Sequence, residues 1–191
     1  MFKKEWSYSE DKMIDSYLSY IQEGYLLSDK SISVGLDDFK SGRKNKLLII
    51  GVPGSGKTSL AKYLAKKYNA GIVSDTHWRE FKKALLDSKR TIIEGAGLAS
   101  LYKADDSWRK MIIDKPIILI GLSAIRSGLR ADVRDGMLPT TVKNKKDMFY
   151  FIRNNFSYFQ GLMNNLRKDI IKFRKNEIKE FRMPKFERVL N

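Results

Sequence analysis

The sequence contains one segment whose residue types and spacing are suited to binding phosphate. Residues 51–58 read Gly-Val-Pro-Gly-Ser-Gly-Lys-Thr and match the pattern G-x-x-x-x-G-K-S/T at every position. Glycines allow such a loop to curl and to point its backbone N–H groups inward, and the start of the following helix adds partial positive charge. The segment therefore predicts a phosphate-binding loop (P-loop) for ATP or GTP.

The residues of this loop have separate expected roles. Lys57 is expected to reach the β- and γ-phosphates in a catalytic role, and the Thr58 hydroxyl is expected to ligate Mg²⁺. ATP and Mg²⁺ are thus the expected cofactors. The predicted nucleotide-binding residues are Gly51, Pro53, Gly54, Ser55, Gly56, Lys57, Thr58 and Ser59.

Asp75 is the candidate catalytic base on the side of the molecule that receives the phosphate. It ends a predicted strand, and the carboxyl ends of parallel strands line the ligand crevice of an open sheet. There it can accept the proton of an attacking hydroxyl. The alternative is that Asp75 caps the helix that follows it, and the two roles are compatible.

Arg79 and Glu94 are the predicted substrate-binding residues near this base. Arg79 lies one helical turn beyond Asp75 and can hold an acceptor phosphate, or it is a solvated helix residue. Glu94 ends the next predicted strand, at the same edge of the sheet. It can orient a Mg²⁺-bound water or bind the acceptor; a helix cap or a salt bridge explains it equally well.

Three arginines that are four residues apart predict a lid over the phosphates. Arg126, Arg130 and Arg134 share one face of a predicted helix, where their charges repel one another unless anions bind. We expect Arg130 and Arg134 to be catalytic, stabilising the transferring phosphoryl group, and Arg126 to contact substrate. Gly136 and Pro139 break the helix, as a hinge requires. The alternative is a basic, solvated helix.

An alternation of strands and helices positions these residues. Short apolar runs predict strands, and the segments between them show helical periodicity. The alternation predicts an α/β fold of the P-loop NTPase type, a parallel sheet with flanking helices. The predicted strands are residues 47–50, 71–73, 91–93 and 116–122, and the predicted helices cover 57–68, 76–88, 98–112 and 123–133.

Both ends of the chain extend beyond this alternation. Residues 9–23 have the periodicity of an amphipathic helix, and residues 28–45 have the Ser, Asp, Gly and Lys content of a linker. Residues 144–165 and 166–180 predict two further helices. The predicted divisions are an N-terminal helical extension with a linker over 1–45, and a P-loop domain over 46–191 with the lid at about 126–143 and basic C-terminal helices over 144–182.

Positive charge is concentrated after residue 45. The 191 residues include 37 Lys+Arg and 22 Asp+Glu, a formal net charge of +15, and residues 1–45 contribute −1 of it. Such a surface attracts polyanions, although a solvated basic surface is the alternative. Nucleic acid, with DNA favoured, is the expected partner. A basic stripe on one helix is predicted from four lysines at helical spacing: Lys168, Lys172, Lys175 and Lys179.

Composition excludes several classes of protein. The chain has no Cys and its single His is His77, which excludes disulfides and thiolate metal sites and disfavours a His-based triad. The apolar runs are too short to span a bilayer, and the amino end lacks the apolar core of a signal peptide. These features predict a cytoplasmic protein without membrane contact.

The residues described above resemble the polynucleotide-kinase branch of the P-loop kinases, over about residues 46–160. The form of the loop is similar to that of small P-loop kinases. Asp75, Trp78 and Arg79 resemble the acceptor-side residues of that family, with the arginine displaced by one position.

The lid is similar as well, whereas two features depart from the family. Arg130, Arg134 and Pro139 resemble the family's lid. Glu94 stands where the third strand of the family usually ends in Asp, and the 45-residue leader has no counterpart. The short, Lys-rich chain also resembles bacteriophage proteins, which include kinases of hydroxymethylated pyrimidines in DNA.

The resemblance implies an ATP-dependent kinase that phosphorylates a hydroxyl of a nucleic acid, at a 5′ end or at a base hydroxymethyl group. One alternative is a (deoxy)nucleoside monophosphate kinase, which shares the loop and the Arg-rich lid but does not need so large a positive charge. Another is a non-catalytic NTP-binding protein that acts in nucleic-acid binding or assembly. If the protein is viral, its expected location is the cytoplasm of a bacterial host.

Overall fold

A mixed β-sheet forms the centre of the protein. The computed structural model describes residues 31–51, 55–74, 78–95, 97–121 and 161–184. Within these residues the strands are β1 (Ile32–Val34), β2 (Lys46–Ile50), β3 (Gly71–Ser74), β4 (Thr91–Glu94), β5 (Ile117–Leu119) and β6 (Ile178–Glu180). They form one six-stranded sheet in the order β3-β4-β2-β5-β1-β6.

Strand directions decide which loops meet. β3, β4, β2 and β5 are mutually parallel, and β1 is antiparallel to both of its neighbours, β5 and β6. β6 therefore runs in the same direction as β5. Every described strand except β1 ends at one edge of the sheet, which we call the carboxyl edge, and β1 begins there.

Helices cover both faces of the sheet. They are α1 (Leu36–Lys40), α2 (Lys57–Tyr68), α3 (Trp78–Leu86), α4 (Gly97–Ala104), α5 (Asp106–Ile113) and α6 (residues 161–174), and a 3₁₀ turn (Lys175–Glu177) follows α6. Leu47 and Ile49 of β2 pack with α1 and α2, whereas Leu48 and Ile50 pack with α3 to α6. Because both faces are covered, all of β2 is buried, which explains its unbroken apolar sequence.

The main elements that the sequence predicts are present. The α/β class is confirmed, and so is the helix at 57–68, which is α2. The four predicted strands all occur, with limits within three residues of those predicted, and the helix predicted at 76–88 is α3. The predicted helices at 9–23 and 123–133, the lid, and residues 144–160 lie outside the described residues.

The predicted helix over 98–112 is in fact two helices, α4 and α5, because Asp105 interrupts it. Asp105 has an extended backbone (φ −158°, ψ 168°), and its carboxylate accepts hydrogen bonds from the Ser107 hydroxyl at 2.5 Å and the Trp108 amide at 3.0 Å. These bonds, the one from Ser107 above all, lower the pKa of Asp105. Asp105 is thus the N-cap of a new helix.

The prediction of a linker over residues 28–45 is wrong for the described residues 31–45. Ile32–Val34 is the strand β1, which is buried between β5 and β6. Phe39 of α1 is fully buried in the core. The polar composition of this segment belongs to a tight turn and a short helix, so the sheet begins before residue 46.

The prediction of a helix continuing to residue 180 is also wrong, and the sheet is mixed rather than purely parallel. Helix α6 ends at residue 174, and Ile178–Glu180 pairs with β1 as an edge strand. Strand pairing overrides the helical spacing of the lysines here. Lys168 and Lys172 lie on α6, Lys175 in the 3₁₀ turn and Lys179 on β6, so the predicted single helical stripe does not exist.

No helix among the described residues is long and apolar enough to cross a membrane.

Candidate phosphate-binding site

The carboxyl edge has the topology of a ligand crevice. After β2 the chain enters α2 on one face of the sheet, and after the adjacent strand β4 it enters α4 on the other face. In open α/β sheets, ligands bind at the carboxyl ends of strands where successive connections leave to opposite faces. The loop between β2 and α2 therefore lies where the topology places a ligand.

Two glycines of the loop cannot be replaced without rearrangement. A Cβ atom on Gly51 would lie 2.6 Å from Ser55 Oγ and 3.2 Å from Ile120 Cβ. Gly56 has a φ of +86°, a left-handed conformation that L side chains rarely adopt, and it directly precedes α2. The close packing behind Gly51 and the turn at Gly56 thus require glycine at both positions.

Lys57 is the first residue of α2 and is buried, with 5% of its surface exposed. Its Cγ lies 3.4 Å from the position that a Gly51 Cβ would occupy, so its aliphatic stem crosses the start of the loop. A lysine packed in this way is held in place rather than free in solvent. The predicted phosphate-binding lysine is therefore positioned at the N-terminus of a helix, where anions are stabilised.

Thr58 and Glu94 form the central polar pair of the site. The Thr58 hydroxyl donates a hydrogen bond to Glu94 Oε1 at 2.7 Å. Thr58 is exposed, whereas Glu94 is 1% exposed. The pair forms because β4 lies beside β2, with Glu94 opposite Ile49, and because Ile92 and Glu94 face α2.

The second carboxylate oxygen of Glu94 lacks a partner. Oε2 is buried, and no described residue donates a hydrogen bond to it; the same holds for the buried Ser55 hydroxyl. A buried acceptor left without a donor costs about 1–3 kcal/mol. Both atoms lie beside the loop, where a ligand bound there could contact them.

The donor set fits Mg²⁺. This ion binds through one or two protein oxygens together with water and phosphate oxygens, and P-loop proteins hold it with the loop Ser/Thr and a strand-end carboxylate. Thr58 and Glu94 supply that hydroxyl and that carboxylate. No cluster of three or more His, Cys, Asp or Glu that could hold a metal ion occurs among the described residues. Glu94, predicted as a substrate-binding residue, lies within hydrogen-bond distance of Thr58, the predicted Mg²⁺ ligand.

The other predicted residues divide into two groups. Ser59 lies in the first turn of α2 and is exposed, and Arg79 is exposed in the first turn of α3. β3 ends at Ser74, opposite Glu94, at the carboxyl edge. The residues that lie outside the described part of the chain are Pro53, Gly54, Asp75, Arg126, Arg130 and Arg134.

Sequence reasoning missed the segment 181–184, which follows β6 and also lies at the carboxyl edge. The Phe181 amide donates to the Ser31 carbonyl at 2.9 Å, and the Gly121 amide donates to Ser31 Oγ at 3.1 Å. Met183 Cε lies 3.5 Å from the position that a Gly56 Cβ would occupy. The contact joins residues far apart in sequence, so no local signal reveals it.

Comparison with known proteins leaves the family of this chain open. No protein-family model matches the sequence, and no curated protein is significantly similar to it. One similar solved structure is a shikimate kinase from Acinetobacter baumannii in complex with shikimate, at 13% identity and a TM-score of 0.39, covering 69% of this chain and 94% of the other. A TM-score this low carries no argument about function.

Proposed function

We propose that this protein is an ATP-dependent kinase that transfers the γ-phosphate to a hydroxyl group of a nucleic acid, either a 5′ end or a base hydroxymethyl group. The observation that carries the phosphoryl-transfer part is the Thr58–Glu94 pair, with its unpartnered buried oxygen, at the start of the helix that follows the loop. The acceptor class is supported by the net charge of +15.

The donor side of the mechanism follows from the loop. Its backbone N–H groups and the N-terminus of α2 bind the phosphates, and Lys57 neutralises charge that develops on the transferring group. Thr58 and Glu94 would hold Mg²⁺, which when bound supplies charge stabilisation to the phosphate oxygens. Burial of Glu94 keeps water away from that side chain, so its interaction with a bound cation would be screened less than at the surface.

For the residues that act on the acceptor, we propose the roles that the sequence predicts. Asp75 accepts the proton of the attacking hydroxyl, and the register of β3 against β4 supports this role because the chain leaves β3 beside Glu94. Arg130 and Arg134 stabilise the transferring phosphoryl group, and Arg126 contacts substrate. Arg79 binds an acceptor phosphate; its place in the first turn of α3 supports this.

The nucleotide donor needs a direct test. The chain contains Asn144-Lys145-Lys146-Asp147, which has the Asn-Lys-x-Asp order that reads guanine in GTPases, outside the described residues. The P-loop accepts either nucleotide, because its contacts are to phosphates and not to the base. GTP is therefore tested beside ATP.

The experiment offers several acceptors in parallel to one enzyme preparation. Purified protein is incubated with Mg²⁺ and γ-labelled ATP or GTP, together with 5′-hydroxyl oligonucleotides, hydroxymethyl-base DNA or nucleoside monophosphates. Label in either nucleic acid is the expected result. Label only in monophosphates would establish the small-molecule kinase instead, and binding of nucleotide without transfer to any acceptor would establish a non-catalytic NTP-binding protein. We also propose that the protein is located in the cytoplasm, which is that of a bacterial host if the protein is viral.

A further inference from the structure

A groove of about 290 Å³ lies on the sheet face that carries the P-loop helix α2. α1 and α2 form its walls, and β6 with the segment after it forms its outer side. We call it the Tyr63 groove. Its basic and aromatic lining residues include Lys40, Tyr63, Lys67, Lys179, Phe181 and Arg182.

Aromatic rings line this groove. Tyr63 is 42% exposed, although it is a large side chain on a helix whose apolar residues are otherwise buried. Lys67 Nζ lies 5.9 Å from the centre of the Tyr63 ring and 5.7 Å from that of Tyr68. One cation thus lies over two rings, and Tyr63 is the more exposed of the two.

The groove carries more positive than negative charge. Lys40, Lys67, Lys179 and Arg182 line it, against Asp37 and Glu180. Asp37 pairs with both Lys40 at 3.0 Å and Lys179 at 2.5 Å, which lowers its pKa to about 2, the hydrogen bond from Lys179 being the larger cause. One carboxylate thus serves two cations, and Glu180 pairs with Arg182 at 3.7 Å. Lys67 lies over rings rather than beside a described carboxylate. An anion can therefore be bound here.

The groove leads to the phosphate loop. α2, which forms one wall, begins at Lys57 of the loop, and Tyr63 lies on the second turn of that helix. The opposite side ends with the segment after β6, whose Met183 lies beside Gly56. A chain-like ligand lying in the groove therefore reaches the carboxyl edge, where transfer takes place.

We infer that the Tyr63 groove binds the single-stranded acceptor nucleic acid, with an unpaired base on Tyr63 and backbone phosphates near Lys67, Lys40 and Arg182. The inference rests on the proposed function and names its substrate class more closely. Grooves that combine positive charge with exposed aromatic rings bind single strands, because an unpaired base stacks on the ring while the backbone follows the charge. A duplex offers no free base face to Tyr63.

The test uses two matched double variants of the full chain. Tyr63→Ala/Lys67→Gln removes the ring and the cation of the groove. Phe173→Ala/Lys172→Gln removes the same chemistry elsewhere, since Phe173 is 59% exposed with Lys172 Nζ 5.2 Å from its ring centre, on α6 at the other sheet face. Binding of fluorescein-labelled oligothymidylate and oligouridylate is measured by anisotropy without nucleotide, between about 50 and 200 mM salt.

The groove variant is expected to bind single strands at least about 10-fold more weakly than wild type. The slope of log affinity against log salt concentration should become less steep by about 0.7, the value for one lost phosphate contact. The Phe173 control should stay within about two-fold of wild type, and Tyr63→Phe, which keeps the ring, should restore the stacking contribution. Circular dichroism confirms that the variants are folded.

The outcomes separate this inference from the proposed function. If both double variants weaken single-strand binding equally, the groove is not the binding site, even if oligonucleotides are phosphorylated in the transfer assay. Equal affinity of wild type for duplex and single strand would also overturn it. Absence of salt-sensitive binding by wild type would overturn the groove and the nucleic-acid acceptor together, and phosphorylation of monophosphates would still show a kinase.

Discussion

Buried polar side chains at the two ends of strand β2 differ in how completely they are hydrogen-bonded. At the amino end, Lys46 is 1% exposed and donates to the Asp87 carboxylate, to the Lys89 carbonyl at 2.5 Å and to the Thr91 hydroxyl at 3.3 Å. Its three N–H groups thus meet three acceptors. The hydrogen bond from Lys46 also lowers the pKa of Asp87.

At the carboxyl end of β2, the buried polar atoms are not all satisfied. Glu94 Oε1 accepts from Thr58, but Glu94 Oε2 and Ser55 Oγ have no hydrogen-bond partner among the described residues. We call the amino end closed, because the chain pairs Lys46 completely, and the carboxyl end open, because Glu94 Oε2 and Ser55 Oγ have no described partner. A third buried atom without a described partner, Arg90 Nε, lies on the amino side, just before β4. Each buried polar atom without a partner requires an explanation, and for the two atoms at the carboxyl end we propose a bound ligand.

The largest expected effect comes from removing the cation at the open end. Lys57→Ala should lower the rate of phosphoryl transfer by about 10³-fold, because a positioned cation no longer neutralises the developing charge. Lys62→Ala, an exposed lysine on the same helix, is the matched control and should transfer at the wild-type rate. Rates are measured with γ-labelled ATP. Undiminished transfer by folded Lys57→Ala would exclude the kinase proposal.

A second prediction concerns the unpartnered carboxylate. Glu94→Gln should raise the Mg²⁺ concentration for half-maximal transfer by about 10-fold, because a neutral amide is a weaker ligand for a hard cation. The free energy of unfolding without Mg²⁺ should not fall, because a buried charge with an unpaired oxygen has been removed.

Two measurements check the role of Glu94. Thr58→Ser keeps the hydroxyl and should keep the wild-type Mg²⁺ requirement. If Glu94→Gln instead destabilises the fold by more than about 1 kcal/mol and leaves the Mg²⁺ requirement unchanged, the pair is structural rather than metal-binding.

Substitutions at the closed end of β2 should lower the free energy of unfolding and leave the transfer rate unchanged. Asp87→Asn should lower the free energy of unfolding by about 1–3 kcal/mol, because it leaves the buried Lys46 ammonium without its charged partner. Lys46→Met removes the buried charge together with its need for acceptors, so its cost should be smaller than that of Asp87→Asn. Chemical denaturation gives both values. An Asp87→Asn protein with a reduced transfer rate per folded molecule would contradict the division between the two ends.

The smallest effect is a dependence of stability on acid. The pKa of Asp37 is lowered from 3.8 to about 2, and that of Asp87 is lowered too. Because both values lie below those of the unfolded chain, the stabilisation is complete above about pH 4 and is lost as the pH falls toward 2. The melting temperature should decline over that interval, and less steeply in Asp37→Asn. An equal decline in both proteins would assign the acid sensitivity to other groups.

Local patterns were sufficient for some elements and misleading for others. Helix α2 was predictable because a glycine start, a run of apolar residues at helical spacing and an Asn end coincide in sequence. Strand β1 was not, because three residues between polar neighbours carry no period, and only pairing with β5 and β6 makes them a strand. The sequence also predicted a helix over Ile178–Glu180, because the lysines there have helical spacing and the pairing of this segment with β1 leaves no local signal.

The sequence by itself determined the phosphate loop, since its glycines, Lys57 and Thr58 act through backbone conformation and a helix start that are local properties. Tertiary structure alone decided the position of Glu94, because only the pairing of β4 with β2 brings its carboxylate to Thr58. It also decided that residues 181–184 lie beside Gly56. These contacts join residues that are tens of positions apart, and their formation depends on burying both faces of one sheet, which no local pattern encodes.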